Sequence, residues 1–159
     1  MPKILQHVPN LVWFIVGDGP KRGEILKMIQ EKNLQNVVRF IGEVPHDQLK
    51  PYYYLADIFV LLTHPDEGRE EGLGLAFLEA AAAGLPIVAG RSGGVEEAVI
   101  HGETGLVIDI HQHPEAIVQA LTDLIHNTAY AKQLGAAGKM RIQREFVWEH
   151  QLRRVEEWL

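Results

Sequence analysis

Cysteine is absent from the 159 residues, which excludes disulfides, thiolate metal sites and cysteine nucleophiles and agrees with a reducing compartment. No unbroken apolar run approaches the ~18 residues that a membrane helix needs. Met1-Pro2-Lys3 leading to Gln6 and His7 lacks the pattern of a secretory signal. Positive charge is scarce: 15 Lys and Arg stand against 21 Asp and Glu, a formal charge of −6, which argues against nucleic acid as a partner. Repeats and low-complexity tails are missing too. What remains is one domain, long enough for a proper core. It is expected in the cytosol, at most peripheral at the inner face of a membrane.

The strand candidates are short and nearly all apolar. Residues 11–17 (LVWFIVG), 37–42 (VVRFIG), 57–63 (DIFVLLT), 86–90 (PIVAG) and 105–110 (GLVIDI) alternate with helical stretches at 21–34, 51–55, 71–84 and 94–100. The run 11–17 predicts a strand buried on both faces. From His113 the chain reads as helix to its end, with breaks near Asn127 and Phe146. Apolar strands alternating with helices predict an α/β domain, a Rossmann-like parallel sheet with helices on both faces. Ligands of such sheets bind beyond the carboxyl ends of the strands. Gly17 to Gly19, Gly42 to Val44, His64 to Gly74 and Gly90 to Gly94 fall there.

The chain is organised around residues 71–84, EGLGLAFLEAAAAG. This reads as a helix apolar on every side, hence buried, stopped by Gly84 and Pro86. Gly72 and Gly74 leave backbone N–H groups uncovered at its start, where the helix dipole favours an anion. Glu71 and Glu79 stand eight residues apart, about 12 Å along a helix axis. Two carboxylates around an anion-receptive cluster suit a ligand with hydroxyls at both ends and phosphate between, the shape of a nucleotide-sugar. A carboxylate on a buried helix needs a partner. For Glu79 the candidates are a ligand hydroxyl, a serine or a backbone amide.

Other motifs carry less. Gly17-x-Gly19-x-x-x-Gly23 after a strand fits a dinucleotide fingerprint, with Glu43 as its ribose acid, but a tight strand-to-helix turn explains it better, since Pro20 removes an N–H. His64, Asp66, Glu67, Glu70 and Glu71 form an acidic loop without the alternation of a hard-cation site; it reads as solvated, and no metal or cofactor is expected. The histidines other than His64 read as surface. Gly93-Gly94 before Val95-Glu96-Glu97 is an amide nest or simply a helix entry.

Six segments occur in order: IVGDGP, VRFIGEVP, ADIFVLL, EGLGLAFLEAAAAGLPIVAG, SGGVEE and HGETGLVI. Together they resemble the C-terminal, donor-binding domain of retaining GT-B glycosyltransferases of the glycosyl transferases group 1 (family 4) type. The phosphatidylinositol mannosyltransferase branch is the most similar, since EGLG stands where many relatives carry EGFG. The resemblance implies transfer of a hexose from a nucleotide-diphosphate-sugar to a lipid or saccharide acceptor, without a metal. It assigns Glu71 to the transferred sugar as the catalytic-side carboxylate, and Gly72, Leu73, Gly74 and Leu75 to sugar and diphosphate. Glu79 takes the ribose hydroxyls, Val44 and Leu49 the base, and Gly17 borders the phosphates.

The resemblance also implies what these residues do not include. Relatives carry upstream a strand ending in Gly-Arg with a nearby Lys, which clamp the diphosphate, and an N-terminal acceptor domain. By this reading the chain is the C-terminal half of the fold lacking its first strand, and is inactive alone. The strands at 11–17 and 57–63 would flank the missing one. Residues 1–10 are a helix tail and loop, 11–145 the nucleotide-sugar domain, and 146–159 a helix for an inter-domain contact through Phe146, Trp148, Leu152, Val155, Trp158 and Leu159, with Arg153 and Arg154 opposite. Two other readings stay open: a non-catalytic nucleotide- or sugar-binding module, and a nicotinamide-binding oxidoreductase fragment resting on Gly17-x-Gly19.

Overall fold

The computed structural model describes residues 2–63 and 72–147. Two compact units partition the chain, Met1–Pro51 and Tyr52–Leu159.

The first unit holds α1 (Pro2–Leu5), β1 (Trp13–Val16), α2 (Arg22–Glu31), β2 (Val38–Gly42) and a 3₁₀ turn (His46–Gln48). Strands β1 and β2 run parallel, Trp13 opposite Val38 and Ile15 opposite Phe40, with an irregularity before Val16. The expected burial of residues 11–17 on both faces is not observed. No residue of β1 is fully buried, and Val12 is 50 % exposed. The physical reason is a lack of neighbours: among the described residues β1 pairs with β2 alone. The other strand expected beside a missing one, at 57–63, lies in a different sheet.

The second unit contains β3 (Phe59–Leu61), α4 (Leu75–Ala83), β4 (Ile87–Gly90), α5 (Val95–Ala98), β5 (Leu106–Ile108), α6 (Ala116–His126) and α7 (Thr128–Glu145). Helix α3 (Lys50–Leu55) crosses the boundary between the units. The sheet is parallel in the order β3-β4-β5. All four residues of β4 are buried. Successive strand residues point to opposite faces, so both faces of the central strand are covered, as expected of a parallel α/β sheet. Helix α4 packs on β3 and β4, α6 on β4 and β5, and α7 on α4 and α6.

The breaks expected near Asn127 and Phe146 are where α7 begins and ends. The Asn127 side chain accepts the Tyr130 N–H at 3.0 Å, a side-chain cap of the usual kind. Arg141 fixes α7 to α5 by donating to the carbonyls of Ala98 (2.9 Å) and Glu97 (2.6 Å), the helix end that has acceptors without partners of its own. It also pairs with Glu145 at 2.8 Å and lies over the Phe146 ring. Of the apolar side chains expected to serve an interface, Phe146 is thus engaged by α7 itself. Trp148, Leu152, Arg153, Arg154, Val155, Trp158 and Leu159 lie outside the described residues.

The central stretch differs from expectation in two ways. Helix α4 begins at Leu75, not at residue 71, because Gly74 takes φ +69° and turns the chain in. Nor is the helix buried all round. Phe77, Ala80 and Ala81 form its inner face, whereas Leu75 is 69 % exposed and Ala82 is exposed. Small alanines cover little surface, and an apolar residue type does not by itself enforce burial.

Two glycines of α7 let it approach the end of α4 differently. A Cβ on Gly135 would collide with the Gly84 carbonyl oxygen and stand 2.9 Å from its carbon. One on Gly138 would make an ordinary 3.5 Å contact with the Ala81 Cβ. Gly135→Ala is therefore expected to destabilise by about 1–3 kcal/mol through overpacking, while Gly138→Ala stabilises by up to about 1 kcal/mol through helix propensity. Urea unfolding of both variants checks the sign. Destabilisation of equal size in both would show that the α4–α7 approach is not as described.

Candidate functional site

The carboxyl ends of β3 and β4 open into two loops that touch backbone to backbone. Gly90 closes β4 where a Cβ would strike the Thr63 carbonyl, and the Thr63 hydroxyl lies 3.4 Å from the Gly90 oxygen. A Cβ on Gly94 would stand 2.6 Å from the Gly72 carbonyl oxygen. The loop that leads into α5 thus seats the loop that leads into α4. The Gly93-Gly94 pair leads into a helix, Gly93 with φ +46° and Gly94 just before the four-residue α5, an arrangement open to either expected reading.

Gly74 stands at the N-cap of α4, and as a glycine it offers that end no side-chain cap. Five residues on, Glu79 projects half-buried from α4. The phenol of Tyr53, on α3, donates to Glu79 Oε2 at 2.7 Å. Burial, and secondarily the hydrogen bond to Glu79 and its charge, push the phenol above its ordinary range, so Tyr53 remains the donor. Sequence reasoning missed Tyr53, since it read residues 51–55 only as a short helix. Their helical phase relative to the strand at 57–63 was the available signal.

On the far side of the sheet's rim, Asp109 after β5 accepts the backbone N–H groups of Gln112 (3.0 Å) and His111 (3.1 Å). These bonds, that of Gln112 foremost, hold its carboxyl below the usual range, with help from the Arg91 charge. Arg91 itself pairs with Glu96 at 3.5 Å on the surface, a contact of small energetic weight. His101, expected at the surface, is exposed but not idle: its Nδ1 accepts the Val107 N–H at 3.0 Å.

In the first unit, Gly17 follows β1 with φ +125° and its N–H donates to the Gly42 carbonyl at 2.7 Å. It lines a cleft of about 370 Å³ with Asp18, Gly19, Arg22 and Phe40. The Gly19 N–H, which a dinucleotide phosphate would need, is taken by Asp18 Oδ1 at 2.7 Å. That bond, followed by the Arg22 pairing, keeps Asp18 below its usual range. The tight-turn reading of Gly17-x-Gly19 has this internal bond in its favour. Val44 and Leu49 are half-buried around the 3₁₀ turn.

The structure thus brings Gly72, Leu73, Gly74, Leu75 and Glu79 onto one loop and helix in the second unit, and Gly17, Val44 and Leu49 onto the first. Glu71 lies outside the described residues, as do His64, Asp66, Glu67 and Glu70. Among the described residues no group of three or more His, Asp and Glu could hold a metal ion.

A family model described as glycosyl transferases group 1 matches residues 1–141. The GDP-mannose-dependent alpha-(1-6)-phosphatidylinositol monomannoside mannosyltransferase of Mycobacterium tuberculosis is 35 % identical over 151 residues, 94 % of this chain and 39 % of the relative. Sucrose-phosphate synthase from Thermosynechococcus elongatus superposes with TM-score 0.79 at 29 % identity, over 98 % of this chain and 41 % of that one. Anabaena HepE in complex with UDP gives TM-score 0.78 at 20 % identity, over 100 % of this chain and 45 % of that one. The chain spans about two fifths of the length of the curated relatives it matches.

The Gly94–Gly72 seat makes a local prediction. Gly94→Ala is expected to push the 72–73 backbone away, costing about 1–3 kcal/mol and raising amide hydrogen exchange across 72–76. Gly19→Ala, with nothing within 4 Å of its Cβ, serves as the control. Unchanged exchange in Gly94→Ala would show that the two loops do not support each other.

Proposed function

The chain belongs to the glycosyl transferases group 1 family, and we propose that it is the donor-binding half of a retaining glycosyltransferase. Its donor is a nucleotide-diphosphate-sugar, and mannose or another hexose passes to a lipid or saccharide acceptor. The dependence on GDP-mannose in the name of the mycobacterial relative supports the donor class. One observation in the structure carries the reading: a half-buried carboxylate, Glu79, bonded to Tyr53 and standing on the helix whose N-cap residue is a glycine.

The chemistry assigns itself along α4. Amides of Gly72 to Leu75, at the positive end of the helix dipole, meet the diphosphate, whose negative charge grows as the bond to the anomeric carbon breaks. Donors fixed before the reaction stabilise that charge without reorganisation. The sugar passes through an oxocarbenium-like state while Glu71 binds its hydroxyls. Glu79 accepts from the ribose hydroxyls. The assignments of Glu71 to the sugar, of Gly17 to the phosphates and of Val44 and Leu49 to the base rest on the resemblance alone. Transfer itself is proposed to need the portion of such proteins that these 159 residues do not cover, including an acceptor-binding domain. Docking of residues 146–159 onto that domain, and contact with a membrane surface, belong to the same proposal.

Calorimetry with GDP and GDP-mannose separates the two carboxylates. Glu79→Ala is expected to weaken both ligands alike, since ribose is common to them, by ~1.5–3 kcal/mol or roughly ten- to hundredfold. Glu71→Ala is expected to leave GDP nearly unchanged and to remove the extra affinity that the sugar brings. Equal losses for both ligands in both variants would make the carboxylates structural and overturn the assignment.

A further inference from the structure

Glu79 is backed by a closed ring of contacts. Phe77, two residues before it on α4, has no exposed surface. Its ring meets Phe59 of β3 edge-on, with centroids 6.0 Å apart. Phe59 in turn meets Tyr53 of α3 at 5.8 Å, and the Tyr53 hydroxyl returns to Glu79 at 2.7 Å. Three aromatic rings thus run from helix to strand to helix and end on the carboxylate of the helix where they began. Paired aromatic rings prefer a few defined geometries, so the hydroxyl is aimed before any ligand arrives.

A glutamate side chain loses rotamer freedom when a ligand fixes it. A partner that has already fixed it lowers that cost, which is preorganisation. A carboxylate accepts along about four lone-pair directions, so one phenol on Oε2 orients the group and does not by itself exclude a diol.

We propose that Tyr53 is a positioning residue for the donor nucleotide: it sets the plane of the Glu79 carboxylate that receives the ribose hydroxyls. The proposal rests on the assignment of Glu79 to ribose made above. The high pKa of the phenol, caused first by its burial, keeps the proton on Tyr53 and agrees with this role. The competing account is that the bond merely ties α3 to α4.

Tyr53→Phe separates the two, because it keeps the ring contacts and removes one oxygen. The experiment is calorimetric titration of GDP and of UDP into the 159-residue chain, Tyr53→Phe, Glu79→Ala and the double variant, with a thermal midpoint for each. Tyr53→Phe is expected to weaken both nucleotides about fivefold, and to add nothing in the Glu79→Ala background. A lowered midpoint with unchanged nucleotide affinity would reduce Tyr53 to a tie between helices and overturn the proposal. An undiminished loss in the double variant would overturn it too, because Tyr53 would then act independently of Glu79. If Glu79→Ala binds both nucleotides as the unaltered chain does, or if the unaltered chain binds neither, the ribose assignment falls and takes the proposal with it. A loss in Glu79→Ala with none in Tyr53→Phe removes the positioning role alone.

Discussion

Helix α4 is fixed at both ends by backbone touching backbone, and the site depends on that constraint. Before its first turn, the Gly72 carbonyl lies where a side chain on Gly94 would have to be. After its last, the Gly84 carbonyl occupies the corresponding place at Gly135. Such contacts have no flexible side chain to absorb an error, so they set position more sharply than apolar packing does. Between them the helix buries Phe77, Ala80 and Ala81 against the sheet. The elements that do the pinning are themselves tied, since Arg141 of α7 holds the carbonyl end of α5.

That rigidity gives the polar groups of α4 their meaning. An N-terminus opened by a glycine and a carboxylate one and a half turns later are ordinary features of many helices. Held in fixed mutual position they suit the anion and the hydroxyl-bearing group of the proposed donor, joined at a set distance. Preorganised donors and acceptors act without the reorganisation that solvent would require. The Tyr53 phenol extends the same logic to the side chain, and the aromatic series behind it links that side chain to the core of the unit.

Much of this was legible in the residues, and the parts that were not share a cause. The apolar PIVAG segment announced the central strand, and all four residues of β4 are buried. Asn127 and Phe146 marked the ends of α7 because capping and helix exit are local events. The start of α4 was misjudged by four residues: glycine permits a helix as well as a left-handed turn, and the loop packed against it decides. The burial of residues 11–17 was overestimated because apolar composition says how a strand can be covered, not whether neighbours are there to cover it. The proposed site followed the same division. Glu79 and the glycines stood out, whereas Tyr53 did not, since a partner 26 positions away is a tertiary fact.

The central claim is that a nucleoside diphosphate binds along the start of α4. Titrating the isotopically labelled chain with GDP and UDP while following backbone amide resonances tests this directly. The account predicts shifts concentrated at residues 72–76 and around Glu79 and Tyr53. Shifts confined to the Gly17 to Arg22 turn, or none with either nucleotide at millimolar concentration, would contradict it.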